Sequence, residues 1–581
     1  MLLTPQSAQT PTDISGFRRQ LRIISILIAC VTLVVFWNSL SNSFVLDDEP
    51  LILKNRFLTS ITFLPQLLTR SITAGSGDVG NTYRPLQMLT HFFDVTLWDY
   101  HPWGHHLSSV LLHVVLAVTV FRLLATRFPL WPAAIGAALF ALHPLQSEVV
   151  AGISGRADTL SMLFLFLGLL AIQHRPFLSL LCAALSMASK ESGVLFPLFL
   201  WLYDRTADQP QPLRRHYPFW LLAELYVIAR LTVLNFRNTV NFYEWSDPFT
   251  EHFSYRLFTY FTTLAKGIQL WLWPVDIHHL RAWPMFRSPG EPQVLLSLLF
   301  IVLLVFLAIR SRKRAPLIAM GIVWFLVATL PTSNLVAIIY ARLYDHWFLL
   351  PGFGLIIVGT TWLSSIWSGS PRHRRAATAV SVAAVIAVSV LTIRHNAVWH
   401  DPETLYRHIL FWEPRSEKTY HNLALLYDQQ GRTEEAIALY QQALTIREDL
   451  TKTHHHLALA YLKLGDETAA YREFLRTVQI DRLAYHSWLE IGHIELRRGH
   501  ADAACEAFQH AIESYPFSPY GYLSLAQIYV ADGHPHRALA LIDAALTVLP
   551  GDHELQSVRQ DLAATPASSG NNAHHEPDHS R

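Results

Sequence analysis

Apolar stretches, some of them short of a full span and borrowing flanking residues, follow one another from about residue 21 to residue 393, and nothing comparable comes after them. Inside hydrocarbon a backbone must satisfy its own N–H and C=O groups, so a series of this kind folds as a bundle of helices. Hydrophobic residues make up 51% of the chain and charged ones only 15%, which excludes an ordinary soluble protein. The remainder reads as water-soluble amphipathic helix with regular polar faces. The expected fold is therefore all-α, a polytopic membrane domain followed by a soluble helical domain.

The first span, about Leu21 to Leu40, follows Arg18, Arg19 and Arg22, which places the N-terminus in the cytoplasm. Further spans are expected near 107–124, 131–142, 158–173, 177–188, 193–203, 218–235, 293–309, 316–331, 347–366 and 376–393, making eleven. The aromatic, amphipathic stretch Leu257 to Trp273, with Lys266 in its middle, is assigned to the interface. That choice keeps the basic runs at 310–314 and 372–375 inside with Arg214 and Arg215. The loop 41–106, the segment 143–158, Lys190 and Glu191, the segment 331–346 and the soluble domain then share the outer side. The expected division is a cytoplasmic tail 1–20, a membrane domain 21–400, a linker 401–416, repeats 417–552 and a disordered tail 553–581. A multi-pass membrane protein with its repeats on the outer side follows from this reading.

Gly431, Gly465, Gly499 and Gly533 stand 34 residues apart, the period of tetratricopeptide repeats. Around them the same pattern returns: Tyr420, Leu423, Ala424, Tyr427, Ala436 and Tyr440, then His454, Leu457, Ala458, Tyr461, Ala470 and Phe474. Trp488, Ile491, Gly492, Ala504 and Phe508 repeat it, as do Tyr522, Leu525, Ala526, Tyr529 and Ala538. Small residues let the two helices of a repeat approach, aromatics fill the gap to the next, and the stacked pairs form a groove for a protein or peptide. His454, His455 and His456 cannot share one helix face and are assigned to packing and solvent.

A net charge of +1 gives no footprint for nucleic acid. Three cysteines, Cys30, Cys182 and Cys505, make neither a disulfide framework nor a zinc site. The thirty histidines are scattered, and no metal or other cofactor is assigned. Convergence of Asp47, Asp48 and Glu148 would be the one way to a divalent ion, which is not favoured.

Asp47, Asp48 and Glu49 directly follow the first span, where an enzyme acting on a lipid-linked substrate needs a general base. A non-catalytic scaffold is the competing reading, but it needs one or two spans rather than a series with polar motifs on one side. A transporter is disfavoured because those motifs crowd one face instead of the midplane.

The chain resembles the transmembrane and tetratricopeptide-repeat O-mannosyltransferases and their bacterial relatives, membrane enzymes of the type C glycosyltransferase fold. The matching motifs are Leu46-Asp47-Asp48, Tyr83-Arg84-Pro85-Leu86, Leu112-His113, the run from His143 through Glu148 to Val150, and Gly155-Arg156-Ala157-Asp158. They continue with Lys190-Glu191, Pro331-Thr332-Ser333-Asn334-Leu335 and Tyr344-Asp345-His346. The resemblance implies transfer of a sugar, mannose or another hexose, from a polyprenyl-phosphate carrier to a hydroxyl acceptor, with an aspartate of the first outer loop at the reacting centre. The region of Tyr344-Asp345-His346 is closer to the bacterial members, which implies undecaprenyl rather than dolichyl phosphate and a place in the cytoplasmic (inner) membrane with the repeats in the periplasm. Asp47 and Asp48 are then the candidate bases. Arg84, His143, Glu148, Arg156, Asp158, Lys190, Glu191, Asp345 and His346 are candidates for holding the lipid phosphate or the outer loops around it. Arg156 with Asp158, and Lys190 with Glu191, are read as ion pairs that could equally be structural.

Overall fold

The computed structural model describes residues 11–77, 80–207, 210–234, 248–336, 338–339 and 341–564, and every helix or turn of helix in it belongs to one of two units. One runs from Met1 to Pro414 and the other from Arg415 to Arg581.

Among the described residues, six helices of the first unit are long and apolar enough to cross a membrane: Ser15–Ser41, Pro102–Leu124, Ile153–Ala171, Pro292–Ser311, Asp345–Trp367 and Pro371–Trp399. A seventh crossing results if Leu130–Ala141 and Pro144–Ala151, bent by 47° at His143-Pro144, count as one broken span. The unit is thus multi-pass; among the described residues six or seven helices, against the expected eleven, reach that length and apolarity. Pro176–Ser189 and Pro316–Thr332 are apolar yet shorter, and Phe196–Asp204 has only 9 residues. Tyr217–Leu231 is 15 residues long, and the expected span to residue 235 ends just outside the described set.

Lipid is as apolar as leucine, so these helices associate through close packing and hydrogen bonds rather than by the hydrophobic effect. Gly321 and Gly354 mark one close crossing, where a β-carbon on either would strike the other's backbone carbonyl. Asn396 lies at the end of Pro371–Asn396 and donates through Nδ2 to Val35 O at 3.1 Å, joining the first and last long helices.

The segment expected as a linker at 401–416 is largely the helix Pro402–Trp412, capped by Asp401 and burying Leu405, Tyr406 and Ile409. It belongs to the membrane unit. Its apolar face was hidden from the sequence reading because eleven residues make a short pattern beside two strong ones.

In the second unit four helix pairs repeat from Glu417–Gln429 to Pro535–Val548. Ala436, Ala470, Ala504 and Ala538 are all sealed where paired helices touch. The array ends in His553–Ala564, which buries Leu555, so the tail expected to be disordered from 553 begins as a helix; residues 565–581 lie outside the described set. His454 is buried and bonded to Glu473 and to Glu448 O, while His455 bonds Ser487 and His456 stacks on Tyr440. The four ruler glycines have φ between 77° and 80°, the left-handed region. Gly465→Ala is accordingly expected to cost about 1 kcal/mol, visible as a lower unfolding midpoint of the repeats.

Candidate functional site

The segment carrying Asp47 and Asp48 is anchored on both sides. Upstream, Asn42 Nδ2 donates to Asn396 O (3.2 Å) and Ser43 N to His400 O (2.8 Å). Downstream, Leu51, Ile52, Phe57, Leu58, Leu67, Met88 and Ile153 form a small core of their own. Between the anchors Leu46 takes φ of 51°, a conformation that costs a leucine about 1–2 kcal/mol.

The two aspartates beyond it have opposite surroundings. Asp48 is 0% exposed; its Oδ2 accepts from Val45 N at 3.0 Å and its Oδ1 from Ser154 N at 2.7 Å. Burial pushes its carboxyl up to about 7 against the pull of those two bonds. Asp47 is exposed. Its charge, after burial and Glu49, helps push the Tyr406 hydroxyl up to about 12, and it also acts on His279.

A measurable consequence follows for Asp48. The folded chain keeps a proton there up to about pH 7, whereas an unfolded aspartate releases it near 3.8. The folded state therefore binds more protons across that window, and this group's contribution to stability falls as pH rises through it. Unfolding midpoints of wild type and Asp48→Asn between pH 4.5 and 7.5 should show the substitution flattening that decline; equal slopes would mean that Asp48 is already ionised.

Glu148 sits on the short helix Ser147–Ala151, just past the bend at His143-Pro144. Its Oε1 alone accepts from two imidazoles, His279 Nδ1 at 2.7 Å and His346 Nδ1 at 2.6 Å. Tyr344 stacks on both rings, at 5.3 Å from His279 and 5.5 Å from His346. Burial lowers the affinity of His279 for its proton, but the charge of Glu148, joined by Asp47 and Asp345, outweighs it and raises the ring above its ordinary 6.5. Leu280 next to it has φ of 57°, a second strained position beside a site residue. His279 escaped the sequence reading; the only signal was the pair His278-His279 following a span-like helix.

Asp345 is 0% exposed and held by Arg281 through Nε and NH2, both at 2.8 Å, and by His278 N at 3.0 Å. It fixes the 276–281 loop and is closed to a ligand. His143 is buried as well, its ring 4.2 Å from that of Trp271 and its Nδ1 accepting from Leu145 N at the bend.

Arg84, Asp158, Lys190 and Glu191 form a different group. Lys190 Nζ lies 2.6 Å from both oxygens of Asp158, and Arg84 NH2 lies 3.1 Å from Glu191 Oε2. Arg230 completes it, 3.5 Å from the other Glu191 oxygen. Burial would raise the Glu191 carboxyl, yet Arg84 and Arg230 hold it down to about 2. The expected pair Lys190–Glu191 is thus replaced by Lys190–Asp158 and Arg84–Glu191, because Lys190 is extended and Glu191 begins a new turn of helix.

Arg156 is likewise not paired with Asp158. Its side chain is 0% exposed and lies 2.6 Å from Asp94, with further bonds to Ser109 Oγ, Thr90 Oγ1 and His105 O. A guanidinium so enclosed cannot meet a lipid phosphate. His91, Asp94 and His105 bring ligand atoms within 4.8 Å of one another, but the Arg156 guanidinium already supplies the positive charge at Asp94.

Comparison with known proteins agrees with both halves of the chain. Family models described as TPR repeat and tetratricopeptide repeat match residues 424–465 and 456–519. Protein O-mannosyl-transferase F38B6.6 of Caenorhabditis elegans is 22% identical over 74% of this chain and 63% of its own length. Protein O-mannosyl-transferase TMTC4 of Mus musculus is 24% identical over 72% of this chain and 65% of its own. For TMTC1 of Homo sapiens the figures are 24%, 72% and 54%. The chain therefore spans only between 54% and 65% of these three relatives.

Proposed function

We propose that this chain, a relative of the tetratricopeptide-repeat protein O-mannosyl-transferases, is a membrane glycosyltransferase. It moves mannose or another hexose from a polyprenyl-phosphate carrier to a hydroxyl, the acceptor being a protein serine or threonine presented by the repeat groove. The reaction takes place on the outer face of the cytoplasmic membrane. The observation that carries this reading is Asp47, an exposed carboxylate six residues past the first long helix Ser15–Ser41, whose charge acts on His279 of the Glu148 cluster.

In the step, the acceptor oxygen forms a bond to the anomeric carbon while that carbon's bond to the phosphate oxygen breaks, its electron pair staying with phosphate. Asp47 takes the hydroxyl proton. Asp48 is a positioning residue that ties this loop to Ser154.

Purified protein in detergent, given polyprenyl-phosphate mannose or glucose and serine- or threonine-containing peptides, should transfer the sugar and release polyprenyl phosphate. No transfer from a broad set of donors would return the chain to the scaffold reading.

A further inference from the structure

The leaving group in this reaction gains one negative charge as the carbon–oxygen bond breaks, and something beside Asp47 must receive it. Arg84 and Lys190 are matched with Glu191 and Asp158, Arg156 is sealed on Asp94, and Arg281 is committed to Asp345. The imidazoles of His279 and His346 differ from all of these. Their Nδ1 atoms are spent on one Glu148 oxygen, and their Nε2 atoms have no hydrogen-bond partner among the described residues. Both side chains keep solvent contact, at 17% and 18% exposure, whereas Glu148 behind them keeps 8%.

We infer that the Nε2–H groups of His279 and His346, aligned by Glu148 and by the Tyr344 ring between them, hold the phosphate of the lipid carrier as it departs from the sugar. The proposal rests on the reading of the chain as a polyprenyl-phosphate-dependent transferase and gives that reaction its anion site. A carboxylate on Nδ1 fixes the orientation of each ring, and charge-assisted bonds to phosphate are stronger than neutral ones. Glu148 is a positioning residue here, while the histidines touch the substrate. The ionisable groups around the pair are Glu148, Asp47, Asp345 with its Arg281, Tyr344, and His395, which acts on Glu148 from the last long helix. Carboxylates dominate this set, which keeps a proton on His279 into the neutral range.

The sign of the pH effect follows. Phosphate binding should be strong while His279 is protonated and weaken as pH rises through its raised value. The test is binding of a polyprenyl monophosphate to the purified full chain in detergent from pH 5.5 to 9, with inorganic phosphate, phosphatidate and neutral polyprenol as separate probes. Wild type should prefer polyprenyl monophosphate, with affinity falling about tenfold toward alkaline pH. His279→Asn/His346→Asn should lose that fall and bind at least about tenfold more weakly even at pH 6. Glu148→Gln, which can still accept from Nδ1, should move the fall to lower pH by about one unit. A purely structural Glu148 would leave the profile in place.

Unaltered lipid-phosphate binding in the folded double variant would overturn the proposal, as would equal affinity for inorganic phosphate or phosphatidate. Normal sugar transfer by the double variant at an unchanged pH optimum would also overturn it while leaving the transferase reading intact. Histidine-dependent binding without sugar transfer by wild type would support the anion site and count against the transferase.

Discussion

Asp47→Asn is expected to lower sugar transfer by about 10²–10⁴-fold, the usual contribution of a positioned general base, with the unfolding midpoint nearly unchanged. The second half of that statement comes from exposure: Asp47 is exposed and its carboxylate bonds no described residue, so an isosteric amide leaves the loop as it was. Asp48→Asn should invert the pattern. An amide oxygen can replace only one of the two acceptors used by Val45 N and Ser154 N, so about 1–3 kcal/mol of stability is lost while some transfer survives. Transfer rates and midpoints for both variants settle which aspartate does the chemistry. Near-normal transfer by Asp47→Asn would remove it from the reaction.

The largest stability effect is expected at Arg156. Arg156→Met leaves Asp94 buried with its charge uncompensated, a situation that costs about 3–5 kcal/mol. Combining it with Asp94→Asn should recover a good part of that loss, since a matched pair of neutral residues carries no stranded charge. Midpoints in detergent for the two singles and the double complete the cycle. A loss below about 1 kcal/mol in Arg156→Met would mean that Asp94 finds another cation or takes up a proton. Through Gln87, which bonds Ser154 O and touches His91, the same enclosed cluster lies behind the segment that holds Asp48.

The sequence was most legible where a single ruler acts. A glycine every 34 residues places the repeat turns to the residue, because a left-handed cap admits little else. Helix lengths in the membrane unit were less legible, since hydropathy reports what surrounds a segment and not whether it crosses. Partners were least legible of all. Asp94 lies on the ordinary helix Pro85–Trp98 with nothing local to announce that Arg156 will meet it, and Lys190 and Glu191, adjacent in sequence, point to different anions and cations. Asp47 and Asp48 were singled out as a doublet, but their division into an exposed and a buried carboxylate depends on the Leu46 turn, which no propensity predicts for leucine.

Two loops remote from each other in sequence lean on one oxygen atom of Glu148. Losses at such a junction do not add: once one imidazole or the carboxylate is gone, much of the reason for the others goes with it. In a diverging lineage the three residues should therefore be kept or replaced as a set, and a natural variant missing one should commonly lack another. Sequence divergence at this point becomes a record of whether the chain still uses the atom, independent of any assay.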